Sequence, residues 1–186
     1  MNDPLQFEAF VRDYQNMVFT TAYRLLADEM EAQDIAQEVF LKAYECFDDL
    51  RFRPTAGGWL KTVTRNLCLN HLRRHRSRWR LFSELAGKSE NDSDFGSPDE
   101  QFIAPETGHP DLETADQRTL LAGALNKLPA SQRAPLVLHY IENMSLESIA
   151  RSLKISLAKV KIDMHRGRLT LQRILVRNQN TGSKQL

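Results

Sequence analysis

The sequence predicts an all-α protein of two small helical domains joined by a flexible acidic linker. Apolar residues recur at three- and four-residue steps in both halves, and no stretch alternates as a half-buried strand would. The middle of the chain loses periodicity altogether. From Glu84 to Asp116 it fills with Ser, Gly, Pro, Asn and acids, which bury too little apolar surface to offset the entropy of ordering. A length of 186 residues suits two small domains. The expected boundaries are 5–80, a linker at 81–117, a second domain at 118–177 and a disordered tail at 178–186.

Each helix follows from spacing and punctuation. Phe7, Phe10, Val11, Tyr14, Val18, Ala22 and Leu25 mark one apolar stripe. A second helix, from Met30 to Phe47, covers it with Ala32, Ile35, Ala36, Val39, Phe40 and Ala43. Pro54, Gly57 and Gly58 break the pattern, and a third helix starts near Trp59, turning Leu60, Val63, Leu67 and Leu72 inward. Beyond the linker, Leu120, Leu121, Ala124, Leu125 and Leu128 form a short helix that stops before Pro129. Ser131 is a suitable N-cap for Gln132 to Ile141, Ser145 for Leu146 to Leu153, and Ser156 for a last helix reaching about Val176. Two helices separated by a turn of three or four residues fit a helix-turn-helix.

Net charge is only +1, but the charges are sorted along the chain. Lys61 to Arg80 contains no acid, Asp28 to Asp49 is mostly acidic, and Arg151 to Arg177 is basic apart from Asp163. Two basic surfaces separated by acidic ones point to polyanion contact in two places, with a cationic or mixed protein partner besides. No apolar run approaches the ~18 residues of a membrane helix, and the N-terminus does not read as an export signal. Cys46 and Cys68 make no disulfide framework, so a cytoplasmic setting without stable membrane insertion is expected.

The last helix is the most informative. With Leu157, Val160, Met164 and Leu171 inward, the wheel sends Lys159, Ile162, His165 and Arg166 outward, with Lys161 and Arg168 on the flanks. Such a face suits the major groove, where cations reach guanine acceptors and an apolar atom touches a thymine methyl. The alternative is a solvated basic helix. The third helix carries Lys61, Arg65, Arg73, Arg74, Arg76, Arg78 and Arg80 between Trp59 and Trp79, a row that neutralises phosphates. Trp59 also reads as core. The second helix presents Asp34, Gln37, Glu38, Leu41 and Glu45, a solitary leucine among polar groups as on a docking surface or a plain solvated face.

Three segments in order resemble the sigma factors of bacterial RNA polymerase. "AQDIAQEVFLKAY" is similar to the core-polymerase-binding helix, "GGWLKTVTRNLCLNHLRR" to the promoter-melting and minus-10 segment, and the stretch from "LPASQRAPLVLHY" to "KVKIDMHRGRLTLQ" to the minus-35-binding domain. The short length and two domains resemble the extracytoplasmic-function group. The resemblance implies that Asp34, Gln37, Glu38 and Leu41 contact core RNA polymerase. It implies that Leu50, Arg51, Phe52 and Arg53, in a loop holding a flipped base, act with Lys61, Arg65, Asn66, Arg73 and Arg74 on melted minus-10 DNA. It assigns Ser156, Lys159, Lys161, Ile162, His165 and Arg166 to duplex minus-35 DNA. Where the family pattern approximates Lys-Ser-Arg-Leu-His-Arg, this chain has Lys161, Ile162, Asp163, Met164, His165 and Arg166, so its minus-35 sequence is expected to differ. The acidic linker would thread toward the RNA exit path; an anti-sigma factor is the usual partner of the group, and the apolar faces between the domains offer it a place.

Other readings are distinguishable. Cys68, His71 and His75 share a helix face at zinc-ligand steps, but a fourth ligand is lacking. No metal, cofactor or catalytic motif is implied, and the chain is not expected to be an enzyme. An autonomous helix-turn-helix regulator would bind a symmetric duplex site without polymerase. An interaction adaptor leaves the arginine row unexplained.

Overall fold

A computed structural model describes residues 4–85 and 115–182, with side-chain environments over 4–75 and 119–177. The first unit begins with α1 (Pro4–Leu26), whose stripe buries Val18, Ala22 and Leu25 completely. Its end is a tight corner. Ala27 adopts the left-handed conformation (φ 51°) and donates to the Tyr23 carbonyl at 2.8 Å. Asp28 then caps α2 (Glu29–Glu45), its carboxylate accepting from the Glu31 amide at 3.0 Å. That reversal lays α2 against α1 through Ala32, Ile35, Val39 and Ala43.

The second helix stops at Glu45, two residues short of the expected Phe47, which opens a separate turn, α3 (Phe47–Leu50). Phe47 is buried, with its ring edge-on to Phe7 (5.0 Å) and Phe10 (5.4 Å), so aromatic packing takes it out of the α2 stripe. The long α4 (Ala56–Leu85) closes the unit by burying Leu60, Thr64, Cys68 and Leu69. The Thr64 hydroxyl donates to the Leu60 carbonyl at 2.7 Å, which satisfies it inside the core.

The second unit comprises α5 (Ala115–Asn126), α6 (Ala130–Tyr140), α7 (Leu146–Leu153) and α8 (Leu157–Gly182). Ser131 does not cap α6. The helix starts directly after Pro129, whose carbonyl accepts from Gln132 and Arg133, so Ser131 lies inside the first turn. Ser145 caps α7 by accepting from the Ser148 amide, and Ser156 caps α8 by accepting from that of Lys159, as expected. Between them Lys154 turns left-handed (φ 53°), and the amides of Lys154 and Ile155 close onto Arg151 and Ala150. All described elements are helical, and α8 extends past Val176 to Gly182. The acidic stretch and the Arg76, Arg78, Trp79 and Arg80 side chains lie outside the described environments.

The apolar faces between the units, which the sequence left open for a partner, are packed on each other. α6 lies across α1 and α7 against α4, so one apolar core runs from Val18 and Leu25 to Leu136, Leu138, Ile149 and Val160. Arg133, 5% exposed, crosses this seam. Its guanidinium donates to the carbonyls of Leu26 (2.6 Å), Leu128 (2.7 Å) and Leu25 (3.3 Å). Two of these end α1, where carbonyls lack helical partners and the dipole favours a cation. Burial pulls the pKa of Arg133 down, with Tyr23 opposing, but a guanidinium keeps its proton.

Gly167 is where α8 meets α6 most closely. A Cβ there would lie 2.8 Å from a Leu136 methyl and 3.2 Å from the Gln132 carbonyl oxygen. Gly167→Ala is expected to cost about 1–3 kcal/mol despite the better helix propensity of alanine. Gly123→Ala, with nothing within 4 Å of the new Cβ, should gain about 0.5–1 kcal/mol. Urea denaturation of both variants measures the opposite signs.

Candidate polymerase and nucleic-acid interfaces

The buried stripe of α2 turns its opposite face outward, so burial of Ile35 and Val39 exposes Asp34, Gln37, Glu38 and Leu41. Leu41 is 67% exposed although it sits one helix width from the core. Lys42 lies 3.8 Å from Glu38, an exposed pair worth little, so the surface remains predominantly acidic around an apolar centre. These four residues form one continuous helical face.

The loop after α3 divides its residues. Leu50 was expected among the groups offered to DNA, but it is buried and anchors the loop to the core. Arg51 is half-buried: its guanidinium donates to the Gln6 side chain at 2.9 Å, pairs with Asp48 at 3.3 Å and stacks 4.5 Å from the Phe52 ring centroid. Phe52 and Arg53 are exposed, Phe52 at 77%. An aromatic face held outside the core by a cation beneath it suits stacking on an unpaired base.

On α4, Asn66 and Arg74 are exposed, while Arg73 donates to the Leu69 carbonyl and to the Asn70 side chain. Trp59 and Leu72 pack partly against the core. Lys61 and Arg65 are half-buried, with side chains 45% and 25% exposed, and both already face an anion. Their cations lie 3.5 and 3.8 Å from the carboxylate of Glu142, whose side chain is only 4% exposed. Glu142 follows α6, and sequence spacing could not connect it to α4; its isolated acidity just before the helix-turn-helix was the available signal.

The outward face of α8 is only partly as expected. Ser156, Lys161, His165 and Arg166 are exposed, and Ile162 is half-buried. Asp163 is buried and holds the Lys159 ammonium at 3.1 Å. The side chain at the position of the family's arginine therefore turns inward and draws Lys159 with it. Arg168 donates to the Tyr140 hydroxyl at 3.3 Å, bracing α8 on α6.

The zinc-like spacing on α4 resolves differently. Cys68 is fully buried and the His71 ring lies 3.3 Å from the Glu31 carboxylate, so the three side chains do not converge. No group of three potential ligands that could hold a metal occurs among the described residues. No described helix is long and apolar enough to cross a membrane.

The chain is 32% identical over 171 residues to the ECF RNA polymerase sigma factor SigW of Bacillus subtilis, covering 91% of this chain and 88% of that one. Residues 10–78 match sigma-70 region 2 and residues 118–171 match sigma-70 region 4. The chain belongs to the ECF sigma factors of the sigma-70 family. The RNA polymerase sigma-E factor of Streptomyces coelicolor is 30% identical over 177 residues, covering 95% of this sigma factor and 89% of that one. Among solved structures, the sigma factor RpoE of Bartonella quintana, in complex with the anti-sigma factor NepR, has 24% identity and a TM-score of 0.44, covering 91% of this chain and 96% of that one. As a sigma factor, the protein serves transcription initiation by binding RNA polymerase and DNA, and it is not an enzyme.

The two thiols of this sigma factor differ in chemistry. Burial first, and Glu142 to a lesser degree, push Cys68 up to about 12, whereas Cys46 is raised less and sits at a helix end with its Sγ 3.3 Å from the Lys42 carbonyl. Since the thiolate is the reactive form, a thiol pushed up to about 12 stays protonated at pH 8. Iodoacetamide at pH 8 is expected to label Cys46 alone in the folded chain and both cysteines in urea. Peptide mapping checks the order.

Proposed function

We propose that this sigma factor docks on core polymerase through Asp34, Gln37, Glu38 and Leu41, and directs it to a bipartite promoter. The observation that carries this reading is the α2 face itself, an exposed leucine ringed by acids and an amide on a helix whose other side is fully packed. Phe52 and Arg53, with Arg51 behind them, would receive a flipped base of the melted minus-10 element. Lys61, Arg65, Asn66, Arg73 and Arg74 would follow its phosphates. Lys161, His165 and Arg166 would read duplex minus-35 DNA, with Ser156, Lys159 and Ile162 on the border of that surface.

Holding one strand unpaired on α4 while α8 grips duplex upstream would promote melting without any chemical step by the sigma factor. Binding energy realised only with the open strand lowers the cost of opening. Its place of action is the cytoplasm, and the setting proposed is a stress or envelope response under an anti-sigma factor, as is usual for the group. The departures at Ile162 and Asp163 favour a minus-35 sequence unlike that of other members, because a buried carboxylate cannot donate to guanine.

Run-off transcription with core polymerase, followed by start-site mapping, is expected to give discrete promoters with two shared elements. Asp34→Arg with Glu38→Arg should abolish core binding while circular dichroism stays unchanged; intact binding would refute the assignment of the α2 face. Arg166→Ala is expected to weaken binding to the mapped duplex by about 1–3 kcal/mol if the side chain meets a base edge. Loss that is equal on every DNA sequence would instead make it a phosphate contact.

A further inference from the structure

The guanidinium of Arg51 is held from two sides. Nη1 donates to the Gln6 side-chain oxygen at 2.9 Å, forty-five positions earlier near the start of α1, and Nη2 lies 3.3 Å from the Asp48 carboxylate in α3. Nε is buried and makes no hydrogen bond among the described residues, so the two terminal contacts set the plane of the group. That plane lies over the Phe52 ring, 4.5 Å from its centroid. The holders are themselves fixed. Phe7, next to Gln6, packs its ring edge-on to Tyr44 (4.9 Å) and Phe47 (5.0 Å), which ties the start of α1 to the unit. The loop backbone is tied as well: the Arg51 amide donates to the Phe47 carbonyl at 2.9 Å, the Arg53 amide to that of the buried Leu50 at 3.0 Å. Between two anchored neighbours, Phe52 keeps mainly the freedom of its own side-chain torsions.

We infer that Arg51 is a positioning residue: clamped by Gln6 and Asp48, it presets the Phe52 ring in its outward position and does not itself contact DNA. The inference rests on the reading above in which Phe52 receives a flipped minus-10 base. A phenylalanine 77% exposed gains by folding back onto apolar surface. A planar, weakly hydrated guanidinium beneath it provides a competing contact, and one that leaves the opposite face of the ring bare. One bare face admits one stacked base. The charge of Arg51 is consistent with this role, because Asp48 already offsets it, while Arg53 remains as the exposed cation of the loop.

Presetting matters because a ring that samples several staggered wells must be immobilised when the base arrives, and that ordering lowers affinity. An exposed contact between a cation and an aromatic ring favours one ring position by about two- to fivefold, which is the size of effect expected of Arg51. Gln6, on a different helix, thereby acts on the unpaired strand without approaching it.

The test uses the holoenzyme and a fragment of a mapped promoter with its minus-10 strand unpaired. The strand carries 2-aminopurine at one position at a time, a base whose emission falls when it stacks. Phe52→Ala is expected to weaken binding at least about fivefold and to restore emission at one position. Arg51→Ala should weaken binding about two- to fivefold, restore part of the same emission and leave the salt dependence of binding unchanged. In the F52A background it should have no further effect, since a positioning residue acts only through the ring it positions. Arg51→Lys keeps the charge without the planar fork and should behave as R51A does. Gln6→Ala, on an exposed side chain that touches neither DNA nor the ring, should reduce the quenching in the parent and change nothing in R51A. A loss in R51A that persists without Phe52, a salt slope shallower by about 0.7, or full binding by R51K would overturn the inference by making Arg51 a phosphate contact. Unchanged quenching in both R51A and Q6A would overturn it too. A neutral Phe52→Ala would remove the underlying base-stacking reading, and is recognised because it is measured before any Arg51 variant.

Discussion

One buried guanidinium organises the seam on which the whole arrangement depends. Arg133 carries a charge into a nearly dry interface, and it is tolerated there because three carbonyls surround it and two belong to a helix end that needs donors. Those carbonyls would otherwise be left without partners under α6. The bond set thus satisfies α1 and orients α6 together, and the orientation of α6 determines where the following turn carries Glu142. A mainly apolar seam could slide. A planar fork with fixed donor directions does not, which gives this contact a definite register.

Much of each unit was legible in local spacing. The stripe of α1, the covering face of α2 and the caps Ser145 and Ser156 require only residues within a turn or two of one another, and physics at that range is periodic. The exposed acidic face of α2 was legible for the same reason, since burial of Ile35 and Val39 places Asp34, Glu38 and Leu41 on the far side. Failures arose where a distant residue decides. Leu50 looked like a loop residue, but its partners come from other helices and bury it. Asp163 was legible only as a departure from the family pattern, and spacing does not show that its carboxylate is buried beside Lys159. Ser131 lost its capping role to Pro129, one case where local signals competed. Above all, Glu142 and Arg133 meet residues about eighty and about a hundred positions earlier, and no periodicity connects them.

The sorting of charge along the chain acquires a second meaning in this light. A protein with concentrated cationic surfaces attracts any polyanion, and nucleic acid is everywhere in a bacterial cell. Pairing Lys61 and Arg65 with Glu142 offsets part of the α4 charge without removing the cations. The acidic face of α2 is different, because nothing in the described structure covers Leu41 and its neighbours. The surface proposed for polymerase is therefore open, while two cations of the surface proposed for DNA already have a carboxylate beside them.

The corner at Ala27 links those two surfaces. An alanine in the left-handed region is uphill by about 1–2 kcal/mol, so the bend persists only while its flanks are held. Asp28 secures the side leading into α2, and Arg133 secures the carbonyls just before it. Parting α6 from α1 would release one flank, leaving the bend freer to relax and tilt α2. By reciprocity, a docked α2 forced to a new tilt would loosen the grip of Arg133 from the other end, so the hinge between the first two helices would transmit in both directions.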